Sequence, residues 1–494
     1  MGLDEKLQVA LKRCLLKLLA YCHGLSKVKL FKKNTGMKSK KLNSDIFFNR
    51  LHKKEFSRLD SSGHVYLDYT GANLYPASLL NIHHRFLQKA VYGNPHSINP
   101  ASALSEKFIY EARERVLDFF NAPGYYCIFT ANASAALQIV GECYPFSAES
   151  QFLLTVDNHN SVNGIREYCS SKKGSFTYSA INNKDLTINE AALHKQLCGY
   201  PDKKNKLFAY PAQSNASGVQ HSLEWVQKAQ EQGWDVLLDA AAFVPTSVLD
   251  LSIVQPDFVS ISFYKIFGYP TGVGCLLIKK PVLKKMKKPW FAGGTLSLSS
   301  VKSEGYFLKQ DHEQFENGTV NYLDIPAITN GLNFITGIGI KNINSRIKEL
   351  CQSFLSGVTK LIHHNGRPLI KLYGPNNIEN RGGNFLLNFF DIDGFPYPLA
   401  YIEQLTNTAI ISVRTGCFCN PGIDEVIHRI SAHQLKRYFN SRDDGNNDDM
   451  IKFLGKMRGA VRISFGLATT TTDIEKFIHF AKTLLDKSVP KWLN

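Results

Sequence analysis

Short apolar runs, each followed by polar or small residues and then by helical spacing, recur through the middle of the chain. Tyr126 to Phe129, 152–156, 207–210 and 235–238 have the length and Val, Ile, Leu and Phe content of buried strands. VYLDYTGANLYP, from Val65 to Pro76, opens this series with a short strand and a turn. Apolar residues at helical spacing predict helices over 77–91, 102–120, 162–168 and 222–232. Strand, polar loop and helix in alternation predict an α/β protein, its mostly parallel sheet covered on both faces. Ligands of such sheets lie beyond the carboxyl ends of the strands, where His159, Asn215, Asp239 and Lys265 all fall.

From about residue 325 the pattern changes. One long helix is predicted over 326–361, strands near 370–373 and 384–390, and a helix over 399–406. A strand over 410–414, a helix over 425–439, a strand over 460–465 and a helix over 472–485 follow, with a solvated insertion at 441–449. This predicts a smaller α+β domain over 325–494, after a large domain over 45–324 and an N-terminal extension over 1–44. Lys265 sits in Pro256 to Lys279, which reads as strand, glycine-bearing turn and strand with an amine in the turn.

Composition narrows the class. The chain has 494 residues, 44% hydrophobic and 20% charged, as in ordinary globular proteins of more than one domain. No apolar run reaches the roughly 20 residues of a membrane span. Ten cysteines, irregularly spaced, argue against a disulfide scaffold and for a reducing, cytoplasmic setting. Cys417 and Cys419 form a close pair with no second pair to complete a zinc site, so no metal is expected.

The net charge of +16 invites a nucleic-acid reading, but 11 Lys and Arg with no acidic residue fall between Lys6 and Ser44. The remainder carries 47 basic against 42 acidic residues, so no nucleic acid is expected as a partner of the body. Leu7, Leu11, Cys14, Leu15, Leu18 and Cys22 share one face of a basic helix over 6–22. Such a helix suits an anionic membrane, a partner, a transit peptide or the protein's own surface.

The strand ends form a chemical set. Ala133 and Ser134 follow a strand in a small-residue turn that opens a helix, the arrangement that receives phosphate; helix capping alone also explains Thr130 and Asn132. Asp239 ends an apolar strand and needs a cation or donor. Lys265 offers an amine and His159 an aromatic face. Together they meet the needs of pyridoxal phosphate: a lysine for its aldehyde, an acid for its ring nitrogen, a stacked ring and an anchored phosphate. A plain Lys265–Asp239 pair is the alternative.

The segments Thr130 to Ser134, Ser262-Phe263-Tyr264-Lys265 and Arg414-Thr415-Gly416-Cys417-Phe418-Cys419, with His159, Asn215 and Asp239, resemble the class V aminotransferase and cysteine desulfurase family. That resemblance implies the fold type I architecture. FAGGT (Phe291 to Thr295), FENGT (Phe315 to Thr319) and RTGCFCNPG (Arg414 to Gly422) are similar, more narrowly, to the desulfurase domain of molybdenum cofactor sulfurases; the likeness covers about 55–486. It implies a pyridoxal phosphate-dependent homodimer acting on L-cysteine and passing sulfur to the molybdenum cofactor or a separate acceptor domain.

By the same resemblance, Lys265 carries the cofactor and moves protons at the substrate α-carbon. Asp239 faces the pyridine nitrogen, and His159 stacks on the ring and assists proton transfer. Ala133, Ser134, Ser262 and a partner subunit's Thr295 hold phosphate. Asn215 contacts cofactor or substrate, Arg462 binds the substrate carboxylate, and Cys419 is the nucleophile that becomes a persulfide. Cys417 either relays sulfur or lines the loop.

Three departures stand out. Ala242 replaces a frequent cofactor-contacting Gln, and no further cysteine follows Cys419 in Asn420 to Asp424. The third is the end at Asn494, where sulfurases continue into a cofactor-receiving domain. The expectation is then either a separate or truncated desulfurase domain, or a stand-alone desulfurase with another acceptor.

Overall fold

The computed structural model describes residues 44–490; the basic helix expected over 6–22 lies outside them. The described chain begins with a helix, Ser44–Glu55, and β1 (Val65–Tyr66) follows. Seven strands then build the larger sheet: β2 (Tyr125–Thr130), β3 (Ser150–Thr155), β4 (Ser175–Ser179), β5 (Asn205–Pro211), β6 (Asp235–Asp239), β7 (Phe258–Ser262) and β8 (Gly274–Lys279). Their order is β2-β8-β7-β6-β5-β3-β4. Neighbours from β7 to β4 run parallel, while β8 is antiparallel to both β7 and β2. β8 is reversed because the connection from β7 is too short for the crossover that a parallel strand requires.

Every residue of β3 and β7 is buried, as expected of strands covered on both faces. Ile128, Leu154, Ala209, Leu237 and Phe258 share one core cluster with Leu137 and Val140 of helix Ala133–Cys143. The sheet is therefore a rigid floor whose strand ends fix the positions of the polar residues that follow.

A hairpin, β9 (Leu296–Ser299) with β10 (Tyr306–Leu308), precedes the second sheet. That sheet comprises β11 (Ile370–Tyr373), β12 (Asn384–Phe389), β14 (Arg414–Gly416) and β15 (Ala460–Ser464), in the order β11-β12-β15-β14 and antiparallel throughout. β13 (Ile411–Ser412) leaves it to pair in parallel with β1, and Asp68 bridges to Ser464 of β15. Residues 65–68 are thus hydrogen-bonded to the C-terminal part of the chain. The described residues from Phe48 onward belong to one compact unit. No described helix is long and apolar enough to cross a membrane.

Several expected elements differ in detail. Lys265 lies in a short helix, Phe263–Phe267, rather than a turn; Gly268 ends it at φ 83°, and a Cβ there would come within 2.3 Å of the Tyr75 nitrogen. The helix expected over 326–361 breaks at Gly339 (φ 88°) into Ile325–Ile338 and Ile340–Val358. The one expected over 425–439 is Pro421–Ile427 and Ala432–Phe439, because Ser431 and Gln434 form a capping box that starts the second. The strand expected over 410–414 divides into β13 and β14, which have different partners. Within the insertion at 441–449, Asn446 caps a helix, Asn447–Leu454. β4, helix Glu190–Leu197 and the β9–β10 hairpin were not anticipated.

Candidate active site

A cavity of about 340 Å3 opens at the carboxyl ends of the parallel strands, bordered by Ala133, Ser134, His159, Asn215, Asp239, Ser262 and Lys265. Ala242, Gln213, Tyr264 and Ser161 line it too. Seven of the residues expected from sequence therefore meet in one place, brought there by β2, β3, β5, β6 and β7.

At one end, the Ala133 N–H donates to Ser262 Oγ at 3.0 Å, and the Ser134 and Ser161 hydroxyls lie 2.6 Å apart. Asn132 caps the helix by accepting from the Ala135 N–H at 3.0 Å, so this end joins hydroxyls to the positive pole of a helix, an arrangement complementary to phosphate. Ser161 was not anticipated; only its nearness to His159 in sequence could have suggested it. Beneath this loop, Glu316 Oε1 accepts from the Phe129 N–H at 2.7 Å, and Glu316 pairs with Arg113 through bonds of 2.8 and 3.1 Å.

Asp239 Oδ1 accepts from Ser260 Oγ at 2.8 Å and the Ala241 N–H at 3.1 Å, leaving Oδ2 without a donor among the described residues. Lys265 Nζ makes no hydrogen bond there either. Burial holds the Lys265 ammonium below the usual lysine range, with Asp239 partly offsetting it and Arg462 reinforcing it. The His159 imidazolium is likewise disfavoured by burial, against the pull of Asp239. His159 Nδ1 accepts from the Ser161 N–H at 3.1 Å, which places the proton of the neutral ring on Nε2. An unpaired amine and an unpaired carboxylate oxygen on one cavity are polar groups awaiting a partner.

Cys419 is exposed on a loop beside the cavity. Phe418 and Cys419 have φ of 57° and 54°, left-handed values that L residues seldom adopt. Long-range hydrogen bonds hold them there: the Asn160 N–H donates to Cys419 O and Asn215 Nδ2 to Phe418 O, both at 2.7 Å. Asn420 Nδ2 donates to Asp157 O at 2.7 Å and to Asn215 Oδ1 at 2.9 Å. Asn215 therefore braces the thiol loop as well as bordering the cavity. Cys417 faces elsewhere, lining a small recess with Asp424 and Ala460. Burial, then the charge of Asp424, pushes its thiol up to about 12.

Arg462 is buried, near enough to Lys265 and His159 for its charge to disfavour their protonated forms. Its Nη1 donates to Asn215 O at 2.9 Å, its Nη2 to Asp68 Oδ1 at 2.8 Å, and its guanidinium lies 4.9 Å from the Phe418 ring. Burial lowers its basicity, with Asp68 opposing. The other oxygen of Asp68 accepts from Arg414 Nε at 2.9 Å and Nη2 at 2.6 Å. Asp68 was not singled out in sequence, and nothing local marks it. Thr295 lies away from the cavity, its Oγ1 donating to Ala292 O at 2.7 Å and accepting from the Ala292 N–H at 3.1 Å.

A buried lysine, an acid that ends a strand and a helix-capped hydroxyl cradle, on a mostly parallel sheet beside a smaller antiparallel sheet, define a class of protein rather than an individual one. The aminotransferase class-V family profile matches residues 65–477, and the chain belongs to that family. Among curated relatives it is 35% identical over 478 residues to molybdenum cofactor sulfurase of Solanum lycopersicum, covering 89% of this chain and 58% of that protein. The Homo sapiens molybdenum cofactor sulfurase is 36% identical, with 87% of this chain and 50% of that protein covered. The chain thus spans between half and three-fifths of the length of these two.

Solved structures share the fold type I architecture. The apo cysteine desulfurase of Thermococcus onnurineus superposes with a TM-score of 0.73 at 22% identity, over 88% of this chain and 98% of that one. A lysine-to-alanine mutant of C-DES with glycine covalently linked to its PLP cofactor gives 0.66 at 16% identity, over 87% and 98%.

Proposed function

We propose that this chain is a pyridoxal phosphate-dependent cysteine desulfurase that forms a persulfide on Cys419, releases L-alanine, and passes the sulfur to the molybdenum cofactor. The observation that carries the reading is the cavity in which the unpaired amine of Lys265 and the unpaired Oδ2 of Asp239 border one space, with the Ser134, Ser161 and Ser262 cradle at its end. These residues fit pyridoxal 5'-phosphate, and the sulfurase relatives supply the acceptor.

When bound, the cofactor supplies an electron-withdrawing ring that stabilises negative charge at the substrate α-carbon. Lys265 Nζ is poised to hold the aldehyde carbon because burial favours its neutral form. Asp239 Oδ2 would take the proton-bearing ring nitrogen, Ala133, Ser134 and Ser262 would hold the phosphate, and His159 would cover the ring. Arg462 receives the substrate carboxylate and Asn215 positions substrate and thiol loop together.

Cys419 Sγ attacks the substrate sulfur: an S–S bond forms and the C–S bond breaks. That bond's electron pair stays with carbon, and protons moved by Lys265 complete L-alanine. The thiol proton of Cys419 and the retained sulfur proton balance the step. Cys417, half-buried with its thiol pushed up to about 12, lines the loop in this reading.

A homodimer belongs to the proposal. The β9–β10 hairpin exposes Leu298, Val301 and Phe307, apolar surface suited to a second copy, with Thr295 just before β9 as the residue offered to that copy's phosphate. The cysteines among the described residues are free, which suits a reducing cytoplasm.

Visible spectroscopy of the cofactor-supplied protein with and without L-cysteine, followed by mass analysis of Cys419, tests the reading. A Lys265-dependent chromophore, alanine release and a sulfur adduct on Cys419 are expected. A spectrum unchanged in Lys265→Ala would refute the lysine's role; alanine without the adduct would refute that of Cys419. Supplying the molybdenum cofactor to the persulfidated protein separates transfer to it from transfer to another acceptor.

A further inference from the structure

β14 and β15 place two arginines, Arg414 and Arg462, directly opposite each other on an antiparallel pair. Like charges in that register repel. Here a carboxylate enters from far away in sequence: Asp68 gives Oδ1 to Arg462 and Oδ2 to Arg414, through bonds of 2.6 to 2.9 Å. The Asp68 and Arg462 side chains are 10% and 3% exposed, so that pair is little screened by solvent, whereas Arg414 is half-exposed.

The backbone makes room for it. A Cβ on Gly71 would lie 2.5 Å from Asp68 Oδ2 and 2.8 Å from Arg414 Nη2. The Ser464 N–H donates to Leu67 O at 2.7 Å, and the Thr70 N–H to Ser464 Oγ at 2.9 Å, pinning both sides of Asp68 to β15. Arg414 begins the loop that ends in Cys419, and Arg462 lies against the Phe418 ring of the same loop.

We infer that Asp68 is a positioning residue that couples substrate recognition to the nucleophile: one oxygen orients Arg462 for the substrate carboxylate, and the other holds Arg414 at the root of the Cys419 loop. The inference rests on the proposed roles of Arg462 and Cys419. Asp68 does not border the cavity; it acts by cancelling the repulsion between the two arginines and fixing the direction of both.

The test uses the cofactor-loaded protein and three variants. Asp68→Asn keeps the shape and removes the charge, so the KM for L-cysteine should rise about tenfold or more with a smaller change in kcat. Binding of cysteamine, which has no carboxylate, followed by the visible spectrum, should stay within about twofold of wild type. Adding Arg414→Gln to Asp68→Asn removes the opposing charge and should recover much of the lost cysteine affinity. An unchanged KM in Asp68→Asn, an equal loss for cysteamine, or no recovery in the double variant overturns the inference. Arg462→Lys separates the two levels: no effect on KM there refutes the carboxylate role of Arg462, whereas an effect there with none in Asp68→Asn refutes the coupling alone.

Discussion

Replacing Glu316 by glutamine strikes the support under the phosphate cradle rather than the cradle itself. Glu316 is buried, bonded twice to the buried Arg113, and accepts from the Phe129 N–H, one residue before the end of β2. Burial alone would lower the basicity of Arg113; the charge and hydrogen bonds of Glu316 more than offset it, so the guanidinium stays charged. Breaking such a pair from one side leaves a buried charge unmatched, at a cost of about 3–5 kcal/mol. Glutamine still accepts from the Phe129 N–H, which spares the roughly 1–3 kcal/mol of a further orphaned donor.

Glu316→Gln should therefore lower unfolding free energy by about 3–5 kcal/mol, while Arg113→Met combined with Glu316→Gln should return to within about 2 kcal/mol of wild type, because no unmatched charge remains. Urea unfolding followed by circular dichroism on cofactor-free protein measures both. A single variant costing under about 1 kcal/mol, or a double variant as unstable as the single, would refute the reasoning.

Three other expectations follow from the same geometry. Cys419→Ser should abolish persulfide formation seen by mass, while Cys417→Ser should keep its rate within about twofold, since a thiol pushed up to about 12 supplies almost no thiolate at neutral pH. Asn215→Ala removes two side-chain bonds to the Phe418–Asn420 segment, so hydrogen exchange there should accelerate in cofactor-free protein, with the β6 and β7 amides unchanged. Lys265 has a folded pKa below its unfolded one; between the two the unfolded chain binds more protons, and the contribution of this site to stability rises with pH. Lys265→Met should accordingly raise the urea midpoint of cofactor-free protein more at neutral than at alkaline pH.

Strand ends were legible because each is announced locally: an apolar run, then a polar residue, as at Leu237, Leu238 and Asp239. Seven cavity residues came from that grammar together with family resemblance. Partners set by tertiary contact were not legible. Arg113 and Glu316 are 203 positions apart, and neither has a local pattern that names the other. Asp68 sits in an unremarkable turn until β15 and β14 pass beside it. Helix breaks at Gly339 and Ser431 were hidden because the apolar spacing continues across both, and only the backbone angle or the capping side chain marks the stop.

The pairing of β1 with β13 and of Asp68 with β15 has a consequence for synthesis. Asp68 and its two arginines are separated by 346 and 394 positions, so β1 gains its partner strand only after Ser412 is made, and Asp68 gains its contacts with β15 only after Ser464. The Lys265 half of the site can assemble on the larger sheet much earlier. A nascent chain therefore passes through a stage in which the amine pocket is complete and the thiol loop has no anchor, and chaperone or cofactor capture at that stage would meet half an enzyme.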